Sequence, residues 1–237
     1  MKTCEEWWLA FNQYYNNISS NKAPGLEPVE ISRVLTDAQY SVVIGLYNGT
    51  LGSPFESTEQ NTEYLSPLMA QETLCKCSEV TCYQRVSEES VLYELPDDLL
   101  FVTLELCYVK DPKCGNSKGE KQVDIVPVTQ DDYWRTIRDP FKRQNDNRVL
   151  RLTMGETMPN AGDAHHIRYS ELLSKNEIAR YIVRYIRRPE PIILEDLAGY
   201  GLSIDGKTDK QPCLLPEALH QVILTTAVKI AKDAWNN

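Results

Sequence analysis

Residues 180–194 read RYIVRYIRRPEPIIL, and the fold turns on how this stretch is divided. In an extended chain successive side chains face opposite ways, so Arg180, Ile182, Arg184, Ile186 and Arg188 share one side while Tyr181, Val183, Tyr185 and Arg187 share the other. The branched and aromatic content favours a strand from Arg180 to Ile186. Neither side is cleanly apolar, so arginines with apolar stems are expected to meet protein on both sides. Two readings fit equally, an inter-subunit contact, where Arg and Tyr are enriched, or an ordinary strand whose arginines reach water along their stems, and nucleic-acid contact is a weaker third because the surrounding chain is acidic. Pro189 and Pro191 then remove backbone donors and mark a sheet edge or a departure from it.

Upstream, four further segments have the same branched and aromatic character with turn residues between them: Val91–Leu95, Leu99–Val109, Val123–Val128 and Val149–Met154. Together with 180–186 they are read as an antiparallel sheet. Thr129-Gln130-Asp131-Asp132 carries a capping signal, which predicts a short helix over 130–138 that ends before Pro140.

The first 73 residues read differently. Trp7, Phe11, Tyr14 and Ile18 recur at helical spacing, ended by Ser19, Ser20, Pro24 and Gly25. A second helix starts at Pro28, carries Ile31, Leu35, Ala38, Val42 and Leu46 on one face, and stops at Asn48-Gly49. Ser53-Pro54-Phe55-Glu56 has the form of a capping box and predicts a third helix to about Met69.

Past Ile193, a glycine-rich loop with an Asp205-Gly206 turn leads into LPEALHQVILTTAVKIAKDAW at 215–235. Leu219, Val222, Ile223, Ala227, Ile230 and Ala234 form a stripe, and Lys229 and Lys232 suit the carboxyl end of the helix dipole. Leu224, Val228 and Trp235 lie off that stripe, so the apolar surface is wider than one contact needs and a second partner is expected. The expectation is an α+β protein of one domain over 1–237: N-terminal helices within 1–73, a mainly β part over 91–194 built on a central antiparallel β-sheet, and a C-terminal amphipathic helix.

Composition excludes several classes. The chain has 237 residues and a formal charge of −9, and no apolar run approaches the roughly 20 residues of a bilayer helix. The start MKTCEEWWLAF lacks the basic then apolar pattern of a secretory signal, so no export is expected and the Asn17 and Asn48 sequons carry no weight. Seven cysteines, an odd number, then point to free thiols rather than a disulfide framework.

An acidic chain is a poor freestanding nucleic-acid binder, since phosphate affinity comes from clustered Lys and Arg. Charge is nonetheless uneven: the first 64 residues hold eight acids against three bases, whereas Arg135–Arg151 and Arg168–Arg188 each hold six bases against two acids. One basic zone sits in an acidic protein.

Few residues point to chemistry. Cys75, Cys77 and Cys82 are gathered as zinc ligands sometimes are, but a one-residue gap and the absence of a nearby fourth ligand favour incidental thiols. His165 and His166 are adjacent and diverge on a strand or a helix alike, so they form no chelating pair; Asp163 could support one of them. His220 belongs to a surface or interface. No phosphate loop, dinucleotide fingerprint, zinc-protease motif or nucleophile elbow is present, and no cofactor is expected.

Eight segments carry a resemblance: FNQYYNNISSNKAPGLEPVEISRVLTDAQ, FESTEQNTEYLSPL, YELPDDLLF, VDIVPVTQDDYWRTIRDPFKR, RVLRL, RYIVRYIRRPEPIILEDL, GLSID and the terminal LPEALHQVILTTAVKIAKDAW. In this order they resemble the blocks of a virion structural protein of crAss-like tailed bacteriophages, similar to the ring or adaptor proteins beneath the portal at the head-to-tail junction. Leu74–Val86 and Lys110–Lys121 are not matched by these blocks, and no function is carried onto them. The basic strand, Pro-x-Pro, loop and Leu-Pro helix also resemble the end of podovirus head-to-tail adaptors.

The resemblance implies a non-enzymatic protein of the virion, assembled in the bacterial host cytoplasm. It implies a homo-oligomeric ring of twelve copies on the portal protein, next to other tail or ring proteins, through which genomic DNA passes without specific binding. Subunit or portal contacts are then expected at Tyr133, Arg138, Phe141, Lys142 and Arg143, at Arg180, Arg184, Tyr185 and Arg187, and along the terminal helix at Leu219, Val222, Ile223, Leu224, Val228, Ile230 and Trp235. The alternatives are a metal-dependent enzyme using the Cys75 cluster or His165 and His166, and an assembly factor absent from the finished particle.

Overall fold

The computed structural model describes residues 2–18, 25–51, 59–77, 85–111, 119–157 and 167–236, with side chains for all of these except residues 17, 18, 153–157, 167, 235 and 236. The protein is α+β. Its chain divides into two compact units: residues 1–68 with 188–237, and residues 69–187.

The first unit is helical. Cys4–Ile18 (α1), Pro28–Asn48 (α2) and Glu59–Leu65 (α3) precede the sheet, and Glu217–Asn236, numbered α5 below, follows it. Pro28 opens α2, the Glu30 carboxylate accepts the Glu27 backbone N–H at 2.9 Å, and Gly49 closes the helix at φ 77, which a side chain would strain. Its predicted face is buried: Ile31, Leu35, Ala38, Val42 and Leu46.

Beside that face α2 buries three polar side chains, Ser32, Thr36 and Gln39. They serve the chain that leaves the sheet. Gln39 Nε2 donates to Glu190 O (2.8 Å), Thr36 Oγ1 accepts the Ile192 N–H (3.1 Å), and Ser32 Oγ accepts the Leu194 N–H (3.0 Å). Two residues of extended chain advance about 6.6 Å, and the three- and four-residue steps between Gln39, Thr36 and Ser32 about 4.5 and 6 Å, so alternate residues of 190–194 meet successive helix turns. Pro189 and Pro191 thus mark a departure from the sheet onto a helix.

In α1 the period places Trp7, Phe11 and Tyr15 inside. Tyr14, expected on that face, is more than a third exposed and accepts a hydrogen bond from Gln221 Nε2 at 3.0 Å. The capping box at Ser53 lies outside the described residues. The helix assigned to it ends at Leu65, followed by a 3-10 turn at Ser66–Leu68, and the chain is already extended at Met69.

The second unit comprises Met69–Leu74 (β1), Lys76–Cys77 (β2), Ser90–Glu94 (β3), Leu99–Lys110 (β4), Glu120–Val128 (β5), Tyr133–Arg138 (α4), Arg148–Thr157 (β6), Ile167–Leu173 (β7) and Ile178–Arg187 (β8). The strands form one eight-stranded sheet in the order β1-β8-β4-β5-β6-β7-β3-β2. The stretch around Arg180 is thus an internal strand, paired with β1 on one side and β4 on the other.

The sheet is not wholly antiparallel, contrary to the sequence expectation. β5 and β6 run parallel, Asp124 opposite Arg148 through Val128 opposite Leu152, because the connection between them contains α4 and is long enough to cross over.

The edge strands β1 and β2 are separated only by Cys75, so the two ends of the sheet meet there and the sheet curls round its own core. Residues of seven strands share that core, among them Leu74, Tyr93, Cys107, Val123, Val149, Leu172 and Tyr181. Tyr93 of β3 and Tyr181 of β8, far apart in strand order, stand edge to face at 5.0 Å between ring centroids.

Three strands escaped the sequence reading: the two-residue β2 and, for a common reason, β1 and β7. β1 carries Gln71, Glu72 and Thr73, as an edge strand with its exposed backbone should. β7 buries Ser170 and Glu171. Glu171 accepts the Val86 N–H at 2.8 Å and the Ser90 hydroxyl, so its charge is tied to the neighbouring β3 region.

Candidate functional site

The connection between β5 and β6 presents the most conspicuous surface. Tyr133 and Ile137, one helical turn apart on α4, pack on Leu150, Leu152 and Leu173 of the sheet. The rest of the short helix must face away. Trp134 is 62% exposed and Phe141 86%, and Arg135, Arg138, Lys142 and Arg143 surround them. Arg135 lies 3.4 Å from Asp132 and Lys142 lies 3.9 Å from Asp139, both on open surface where such pairs contribute little. The guanidinium groups of Arg138 and Arg143 have no hydrogen-bond or ion-pair partner among the described residues.

Tyr133 itself is buried, so the surface sought there is carried by Trp134.

On β8 the alternation divides as expected, and its inner side is Tyr181, Val183 and Tyr185 in the sheet core. Tyr185 is buried and donates its hydroxyl to Asp98 Oδ1 at 3.0 Å. On the other side Arg180 binds Glu120 Oε2 at 2.6 Å and lies 4.5 Å above the Tyr108 ring, its cross-strand partner. Arg184 is exposed there and donates to Gln71 Oε1 at 2.7 Å; Arg187, at the end of the strand on the side of Tyr185, is also exposed.

The terminal helix α5 buries Leu219, Ile223, Leu224, Ala227, Val228 and Ala231. Its wide apolar surface has an intrachain cause: α5 packs on both α1 and α2, so Leu224 and Val228 are used as fully as the main stripe. Val222 stays exposed and Ile230 partly so, while the Trp235 side chain is outside the described set. His220 is buried against Trp7 at 4.9 Å between rings, with Nε2 3.0 Å from Leu215 O, and burial pushes its pKa down.

Within the helical unit Trp8, Leu9, Pro28 and Leu194 wall an open groove of about 400 Å³, together with the carboxylates of Glu5 and Glu195. Burial of Trp7, Phe11 and Tyr15 is what turns Trp8 and Leu9 outward, and Leu9 is 59% exposed. The amphipathic period of α1 contained this information, although the sequence reading singled out neither residue.

The thiols do not form a reactive centre among the described residues. Cys4, Cys75, Cys77, Cys107 and Cys213 are free; burial pushes Cys107 up to about 12 and Cys213 to about 11, which holds both protonated at neutral pH. No group of three His, Cys, Asp or Glu side chains among the described residues is placed to hold a metal ion. Cys82, His165 and His166 lie outside them. No helix among the described residues is long and apolar enough to cross a membrane.

Residues 2–237 match the family model described as phage tail ring protein 3/4. The chain belongs to this family. It is 35% identical over 232 residues to ring protein 3 of Bacteroides phage crAss001, covering 97% of this chain and 94% of that one. Ring protein 4/5 of the same phage is 31% identical over 233 residues, covering 95% of this chain and 90% of the relative. Family membership thus spans both compact units, the groove of the helical unit and the α4 crossover alike.

Proposed function

We propose that the protein is a structural component of the phage virion, forming with copies of itself a closed ring on the portal and joining head to tail around a channel for DNA. The observation that carries this reading is the family match from residue 2 to residue 237. The relatives are named as ring proteins, and a ring is mechanical rather than catalytic work.

Closed rings need a different patch for each neighbour, because their contacts run head to tail. The cationic aromatic surface around Phe141 and the acidic apolar groove beside Leu9 are two such unlike patches. Of the residues singled out in the sequence, Arg138, Phe141, Lys142, Arg143, Arg184, Arg187 and Val222 remain exposed for contacts with neighbours. A formal charge of −9 also suits a passage along which phosphates must slide without being held.

The test is to mix purified protein with purified portal and count copies by electron microscopy, with mass spectrometry of purified virions alongside. A ring of twelve on the portal and presence in the virion are expected. Absence from the virion would identify an assembly factor and overturn the proposal.

A further inference from the structure

Phe141 and Trp134 are large aromatic side chains held out into solvent on a supported turn, a costly arrangement unless something covers them. Their support is firm: Tyr133 and Ile137 fix α4 to the sheet, and Arg148 Nη1 donates to Phe141 O at 2.7 Å. Residues 133–143 carry four cations, Arg135, Arg138, Lys142 and Arg143, and one acid, Asp139.

The groove of the helical unit has the opposite composition. Its apolar walls are Trp8, Leu9, Pro28 and Leu194, and its charged members are Glu5 and Glu195. Lys210 Nζ lies 3.9 Å from Glu5 on open surface, too loose a pair to neutralise the site. A volume of about 400 Å³ is room for an aromatic side chain.

We propose that the α4 crossover of one copy docks in this groove on the next copy, with Phe141 and Trp134 meeting Trp8, Leu9, Pro28 and Leu194 while Arg138 and Arg143 face Glu5 and Glu195. The inference rests on the ring reading and supplies its subunit contact. A second copy is the occupant because a ring requires one surface to fit a different surface of the same chain, and these two match in both polarity and charge. Buried aromatic anchors with a charged surround are the usual energetic centre of an interface.

The contact is tested with two full-length variants, Phe141→Glu and Leu9→Glu, both at exposed positions so that circular dichroism should match the wild type. Mass photometry is then run on each alone, on their mixture, and on the wild type, in solution and on purified portal. Each variant alone should associate at least tenfold more weakly than wild type. The mixture should stop at dimers, because only one intact knob and one intact groove remain to meet.

Rings from either variant alone would overturn the contact. A mixture that stays monomeric while wild type closes rings would also remove the contact and leave the ring reading standing. A wild type that forms no ring in solution or on portal would remove both.

Discussion

The Thr36 hydroxyl accepts the backbone N–H of Ile192 at 3.1 Å while donating to Ser32 O at 2.8 Å. Helix α2 in this way replaces the neighbouring strand that Glu190–Leu194 left behind. The buried backbone groups are satisfied without a sheet. Thr36→Val removes the acceptor at nearly constant volume and should cost about 1–3 kcal/mol in denaturant unfolding, whereas Thr36→Ser should restore most of it. Equal stability of the two variants would mean the hydroxyl is dispensable.

Tyr133 and Trp134 are neighbours with opposite burial. Truncating Tyr133 to Ala empties the space between α4 and the sheet and should cost about 3 kcal/mol. Trp134→Ala should stay within about 0.5 kcal/mol of wild type, its loss being felt in assembly instead. Thermal unfolding compared with particle assembly separates the two effects.

Inside the curled sheet the Glu105 carboxylate accepts the Tyr181 hydroxyl and lies 3.0 Å from Arg151 Nε. Both charged side chains are mostly enclosed. Arg151→Met leaves Glu105 without its cation and should destabilise by on the order of 2 kcal/mol, below the range for fully enclosed pairs. Adding Glu105→Gln should recover part of the loss, as a double-mutant cycle would read.

Burial lowers the pKa of His220, with the Trp7 ring tilted against it. The unfolded chain therefore binds this proton more readily than the folded one. The stabilisation is present above the unfolded value of about 6.5 and is lost as pH falls through the lower folded value. Thermal stability should decline between pH 7 and acid, and His220→Gln should flatten that part of the profile. An unchanged slope would assign the decline to other groups.

Arg184 and Arg187 are exposed on β8, and Arg184 is held by Gln71 of the edge strand. Reversing both to Glu should leave the monomer folded, within about 1 kcal/mol, and prevent ring closure where these guanidinium groups meet a neighbour. Sedimentation velocity reports both states in one experiment. Normal particle assembly would release these two residues from the interface.

Much of the helical unit was legible because its apolar residues keep a helical period: Ile31, Leu35, Ala38, Val42 and Leu46 are buried together. β3, β4, β5, β6 and β8 were legible from branched and aromatic content. β7 was hidden by its buried polar residues Ser170 and Glu171, the latter held by hydrogen bonds from Val86 and Ser90, remote in sequence. The direction of β6 lay in the length of the connection carrying α4 rather than in any residue of the strand.

At the exposed surface the basic zone was readable as charge, but not which aromatic would stand out. That depended on Leu150, Leu152 and Leu173 claiming Tyr133 and leaving Trp134 free. The wide apolar face of α5 was read as spare surface because its two helical neighbours are distant in sequence.

The helical unit is assembled from chain on either side of the sheet. During synthesis α1 and α2 leave the ribosome long before α5, and the residues 69–187 between them can complete their own core first. Leu35, Val42 and the other apolar residues of α2 must wait for their covering helix. A polypeptide interrupted after Arg187 would carry a finished sheet and an uncovered helix pair, so translation errors there should yield aggregates or degradation products rather than defective subunits in the particle.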